Sequence, residues 1–196
     1  MSSTPQTTRA RILAATLSLV ERAEGPIAMG AIAKAAGLSR QALYLTFSDK
    51  AALFIDLVRY VDERRGLAEE LAKIRDAPTG VGGLLAMVDL QARQNPGLKP
   101  LADALELLRR QDPAVERGWQ DRLDNRLRGC REIVARIAAE GRLRAGLDEA
   151  VATDLVWTIT SLRMWDDLVA QRGWSAEAYR ERVTSLLLAS VVEPAK

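Results

Sequence analysis

Residues 32–54 read IAKAAGLSRQALYLTFSDKAALF, and this stretch decides the fold. A short apolar-periodic segment, about Met29 to Ala36, stops at Gly37. Ser39 then supplies an N-cap for a third helix over Arg40 to Phe47,. The steric requirements of a helix-turn-helix come in order. Ile32 is apolar, Ala33 is small where a second helix crosses, and Ala36 is small and buried. Gly37 supplies the positive φ of a tight turn, Leu38 inserts beneath it, and Leu43 and Phe47 anchor the second helix to a core,.

Upstream, Ile12, Leu13, Thr16, Leu17, Leu19, Val20 and Ala23 form a broad apolar face at 3- and 4-residue spacing, ended by Glu24-Gly25-Pro26,. Downstream, Ser48-Asp49 caps a fourth helix that begins at Lys50 and extends as far as Arg75. Residues 1–60 carry seven Lys or Arg against four acids, so they hold a net +3 of the chain's +2. Residues 25–48 contain no acidic side chain while holding Lys34 and Arg40, which suits a surface that approaches phosphates,.

The other 136 residues are about neutral, and breaks are expected at Asp76-Ala77-Pro78, Asn95-Pro96-Gly97, Gln111-Asp112-Pro113, Gly141 to Gly146 and Gly173 to Ser175,. Each interval reads as a helix. The longest, about Ala114 to Gly141, puts Trp119, Leu123, Leu127, Cys130, Val134 and Ile137 on one seam. Its arginines read as a solvated face, with i,i+4 pairs Asp124 to Arg128, Glu132 to Arg136 and Glu140 to Arg144,. Asp148 caps a helix through about Val169 that is apolar around much of its circumference. Ser175 caps the last helix, with Trp174 and Tyr179 placed as a hydrophobic staple,. Two consecutive helices apolar on more than one face either pack on a second copy, in a four-helix interface, or lie inside a monomer. For the first alternative the contact residues are Leu155, Leu162, Trp165, Val183, Leu187 and Val191.

The chain has 196 residues, 48% of them hydrophobic and only 5% aromatic, which favours an all-α protein of about nine helices,. No apolar h-region opens it and no window reaches the roughly 18 apolar residues of a membrane span, so a soluble, cytoplasmic protein with no membrane partner is expected. The single cysteine, Cys130, fits a reducing compartment and reads as core rather than as a reactive thiol,. There is no histidine, no GxSxG, no GxGxxG and no paired cysteine ligands, so no catalytic residue, cofactor or metal site is expected,. A helical adaptor or lipid-binding protein without DNA affinity is the rival class.

The stretch 32–54 also resembles the signature of the tetracycline-repressor family. That signature runs Ile-Ala-x-x-Ala-Gly-hydrophobic-Ser, then Leu-Tyr-x-x-Phe, then Lys-x-x-Leu, and the resemblance covers about residues 8–55. It implies a DNA-binding domain at 1–48, a helical ligand-binding and dimerisation domain at 49–196, a homodimer, a double-stranded DNA operator and a small-molecule effector. Ala28 stands where the family has a capping Thr or Ser, Gly30 where a longer polar residue is common, and Thr46 where His is common.

A helix in the major groove reads base edges with its first turns, so Arg40 and Gln41 are expected at guanine and adenine edges. Tyr44 and Lys50 are expected at phosphates, with Arg9, Arg11, Ser39 and Thr46 completing the DNA-binding set. By the same resemblance, Met87, Leu90, Trp119, Trp157 and Met164 line an effector cavity unless they are plain core. With no histidine to share a chelated metal, the effector expected is hydrophobic or aromatic.

Overall fold

The computed structural model describes residues 7–22 and 27–194. The expected end of the first helix at Ala23 to Pro26 lies outside the described residues. Ten α-helices occur among those described: α1 (Thr8–Val20), α2 (Met29–Ala35), α3 (Arg40–Thr46), α4 (Lys50–Arg64), α5 (Leu67–Arg75), α6 (Gly80–Arg109), α7 (Pro113–Ala139), α8 (Glu149–Ile159), α9 (Leu162–Trp165) and α10 (Ala176–Val191). A π-helical turn, Asp166–Gln171, follows α9. The fold is all-α, as the composition predicts.

The chain divides into two compact units that interleave in sequence: residues 1–66 with 100–123, and residues 67–99 with 124–196. The first unit therefore runs past the boundary at 48 expected from sequence. Leu53, Phe54, Leu57 and Val61 of α4 fill the same core as Ile12, Ile32, Leu43 and Phe47. Leu101, Leu105 and Leu108 of α6 and Val115 of α7 complete that core. The second unit is built on Leu84, Val88, Val134, Ile137, Val156, Tyr179 and Leu187, all but sealed from solvent.

Three helix boundaries differ from the sequence reading, each for a local reason. The helix begun at Lys50 stops at Arg64 because Gly66 adopts φ +65, and its N–H returns to the Glu63 carbonyl,. Asn95-Pro96-Gly97 does not break α6, although an interior proline costs about 3 kcal/mol,. Pro96 and Gly97 lie on the exposed side, while Met87, Leu90, Leu101, Leu105 and Leu108 are buried on either side of them. Each such side chain is worth about 1.5–3 kcal/mol, so continuity wins. The helix expected through Val169 ends at Ile159, because Ser161 turns its hydroxyl to accept from the Met164 N–H at 3.1 Å and starts α9 afresh,.

Within the second unit, Arg136 of α7 and Glu140, just past its end, do not form the i,i+4 pairs expected of them. Arg136 donates to the carbonyls of Ile74, Arg75 and Ala77, closing the C-terminal end of α5,. Glu140 accepts from the Gly80 N–H at 2.8 Å, at the first turn of α6, where Thr79 also accepts from Gly82 at 3.0 Å. Cys130 is buried, and burial pushes its thiol up, so it is core, as read,.

Candidate nucleic-acid interface

The turn between α2 and α3 is built as the sequence predicts. Gly37 has φ +65, its N–H bonds the Lys34 carbonyl, and the Leu38 N–H bonds the Ala33 carbonyl at 2.9 Å. This pair of bonds closes α2 in a left-handed cap that a residue with a Cβ would strain. Ser39 accepts from the Ala42 N–H at 3.1 Å and starts α3. Ala28, before α2, makes no side-chain cap bond, which forgoes about 1 kcal/mol,.

Leu43 and Phe47 sink into the core, and Ala42 and Thr46 are half-buried. The opposite side of α3 is left open with Arg40, Gln41, Tyr44 and Leu45. Lys34, on α2, is also exposed, and no carboxylate occurs among described residues 27–48. Such a face presents donors and a positive potential to its surroundings.

The expected contact residues divide into two groups. Gln41 and Tyr44 stand free on the open face, Tyr44 half exposed at 51%. Arg40 shares that face, with its guanidinium turned toward α2. A Cβ on Gly30 would meet that guanidinium at 2.6 Å, so the glycine that departs from the family pattern makes room for it.

The remaining residues of the expected set are engaged within the unit. Arg9 pairs with Asp56 and lies 4.9 Å over the Phe47 ring. Arg11 donates to the Ala36 carbonyl at 2.8 Å, at the C-terminal end of α2. Lys50 donates to Asp112 and sits over the Phe54 ring. Thr46 gives its hydroxyl to the Ala42 carbonyl at 3.1 Å. What distinguishes Arg9 and Lys50 from Gln41 or Tyr44 is a partner far along the chain, Asp56 or Asp112, which spacing does not reveal. Leu45, absent from the expected set, is the most exposed large apolar residue described, at 83%. Its signal was present in the sequence, because it falls four residues after Gln41 on the same face.

The profile of bacterial regulatory proteins of the tetR family matches residues 12–57, the helices that carry this face. Residues 12–57 thus carry the DNA-binding helices of that family. No curated protein matches the sequence. NalD of Pseudomonas aeruginosa, described as the secondary repressor of the MexAB-OprM multidrug efflux pump, shares 20% identity over 96% of this chain and 98% of its own, with a TM-score of 0.67. FadR of Bacillus subtilis, determined with stearoyl-CoA, gives 19% identity over 91% and 97%, with a TM-score of 0.69. SmeT, determined with triclosan, gives 18% over 96% and 93%, with a TM-score of 0.69. At these identities the likeness establishes a shared tetR-type fold.

The expected effector and dimer residues are distributed unevenly. Met87 and Leu90 are buried in the second unit's core, with Trp157 packed against it and Met164 half-buried. Trp119 belongs to the first unit, with Arg109 6.0 Å over its ring. The five residues therefore do not converge within one unit. Trp165, Val183, Leu187 and Val191 are buried in the second unit's own core. They could reach a second copy only by opening that core. Leu155 and Leu162 are half-buried, and the large apolar residues that α8 and α10 expose are Val151 and Leu186. Period 3.6 locates an apolar stripe but not whether its own chain already covers it.

Proposed function

We propose that the chain is a homodimeric, effector-responsive transcriptional repressor of the cytoplasm that binds a palindromic DNA operator through α2, the Gly37 turn and α3. The open face of α3, with Gln41 and Tyr44 exposed and the Arg40 guanidinium lying against Gly30 of α2, on a surface free of acids, carries this reading. An α-helix fits the major groove, where the four base pairs present distinct donor and acceptor patterns. Arg40 reads guanine and Gln41 adenine, while Tyr44 holds a phosphate through its hydroxyl. Arg9, Arg11 and Lys50 act mainly by setting the geometry and potential of the surface.

Residues 49–196 then serve dimerisation and effector response. The outer faces of α8 and α10, around Val151, Leu155 and Leu186, pair with a second copy. The effector is hydrophobic or aromatic, a class in keeping with stearoyl-CoA in FadR and triclosan in SmeT. It lowers operator affinity only to the degree that it binds more tightly to a state whose recognition helices no longer match one turn of DNA, about 34 Å. No helix among the described residues is long and apolar enough to cross a membrane, in keeping with a diffusible regulator.

Selection of bound duplexes from a random pool tests the reading. A palindrome with half-sites about one helical turn apart is the expected product. An enriched pool with no two-fold symmetry overturns the dimer, and no enrichment overturns DNA binding. Light scattering on the free protein should give twice the chain mass, and a monomer at micromolar concentration contradicts the proposal.

A further inference from the structure

Helix α3 has one exposed residue that the donors and charges of its face leave unused. Leu45 is 83% exposed and carries no hydrogen-bonding atom, so it cannot contact a phosphate oxygen as Tyr44 can,. It follows Gln41 by four residues, and helical side chains lean toward the N-terminus, so Leu45 lies beside Gln41 on the outer face. We propose that Leu45 is a second base reader, contacting the C5-methyl group of a thymine in the major groove. This inference rests on the DNA-binding reading given above.

The chemistry favours that occupant. The thymine methyl is the one apolar group that base edges present in the major groove, and apolar side chains recognise it. The segment that carries Leu45 exposes Lys34 and Arg40 and has no carboxylate between residues 27 and 48 among those described, and the next one, Asp49, is turned to the Ala52 N–H as the cap of α4. That complements a polyanion. One helical turn advances about 5.4 Å, and bases rise about 3.4 Å, so the thymine falls within two base steps of the base that Gln41 reads.

The test uses the full chain and duplexes selected from a random pool. Each thymine of the consensus is replaced singly by uracil, which deletes only the methyl group, and affinity is measured for the wild type and for Leu45→Ala. One thymine position should weaken wild-type binding about fourfold on replacement, the worth of one buried methyl group, and have no further effect in Leu45→Ala. The inference is overturned if no replacement weakens the wild type, or if the penalty persists in Leu45→Ala. Leu45 lies outside the core, so the variant should keep the wild-type circular dichroism and melting temperature. Failure to enrich any duplex is a different result, which removes the DNA-binding reading and this inference with it.

Discussion

Replacing Gly80 by alanine should destabilise the protein, whereas the same change at Gly129 should stabilise it. Both glycines are helical, Gly80 in the first turn of α6 and Gly129 in the interior of α7. Alanine is intrinsically favoured over glycine by up to about 1 kcal/mol in a helix interior, so propensity alone predicts a gain at both. The surroundings separate them. A Cβ on Gly80 would stand 2.6 Å from the Ile137 backbone nitrogen and 2.8 Å from its Cγ1. Recovering ordinary contact at about 3.5–4.0 Å requires α6 to draw back from α7 by roughly 1 Å, against backbone rather than a flexible side chain. Overpacking of this kind costs about 1–3 kcal/mol, and the Glu140 bond to the Gly80 N–H is strained with it,. A Cβ on Gly129 meets nothing within 4 Å. Gly80→Ala should therefore lower stability by about 1–2 kcal/mol, and Gly129→Ala should raise it by about 0.5–1 kcal/mol. In a chain of this size each kcal/mol moves the melting temperature by about 2–4 °C. Urea titration followed by far-ultraviolet circular dichroism measures both. A Gly80→Ala protein as stable as the wild type, or a Gly129→Ala protein less stable than it, refutes the packing argument.

Gly30→Gln should leave the fold intact, because the group in its way is the flexible end of Arg40, but should displace that guanidinium and change the preferred base at one operator position. An identical selected consensus contradicts this. Tyr179 is buried, its hydroxyl 3.4 Å from Gln91, and burial pushes its phenol up to about 12 from 10.0. A raised phenol pKa favours the protonated folded state, so this contribution is fully present below pH 10 and is lost as pH rises from about 10 to 12. At about 1.4 kcal/mol per unit, Tyr179→Phe should lose roughly 3 kcal/mol less stability than the wild type across that range, measured by urea midpoints. Equal losses in both proteins remove the phenol as the cause.

The recognition unit was legible in sequence because its determinants are local. Gly37, Ser39, Leu43 and Phe47 each act on backbone or core within a few residues, and the structure places them as spacing predicts. What spacing could not show was long-range partnership. Lys50 and Asp112 are 62 residues apart, and Arg136 reaches the end of α5 about 60 residues away. Pro96 misled for a related reason, since a local breaker yields when burial on both sides of it carries the helix through. Apolar stripes on α8 and α10 were visible, but whether a second copy or the chain's own core covers them depends on packing that periodicity does not encode.

The proposed reading of DNA sequence by α3 underlies the function assigned above. Its most direct test is fluorescence anisotropy of the selected duplex and of a scrambled duplex of the same composition, titrated with the wild type and with Arg40→Ala at several salt concentrations. The wild type should bind the selected duplex at least a thousandfold more tightly at physiological salt, with affinity falling steeply as salt rises. Arg40→Ala should lose about 1–3 kcal/mol on the selected duplex and little on the scrambled one. Equal wild-type affinity for the two duplexes, or an Arg40→Ala loss shared by both, would contradict sequence reading by this helix.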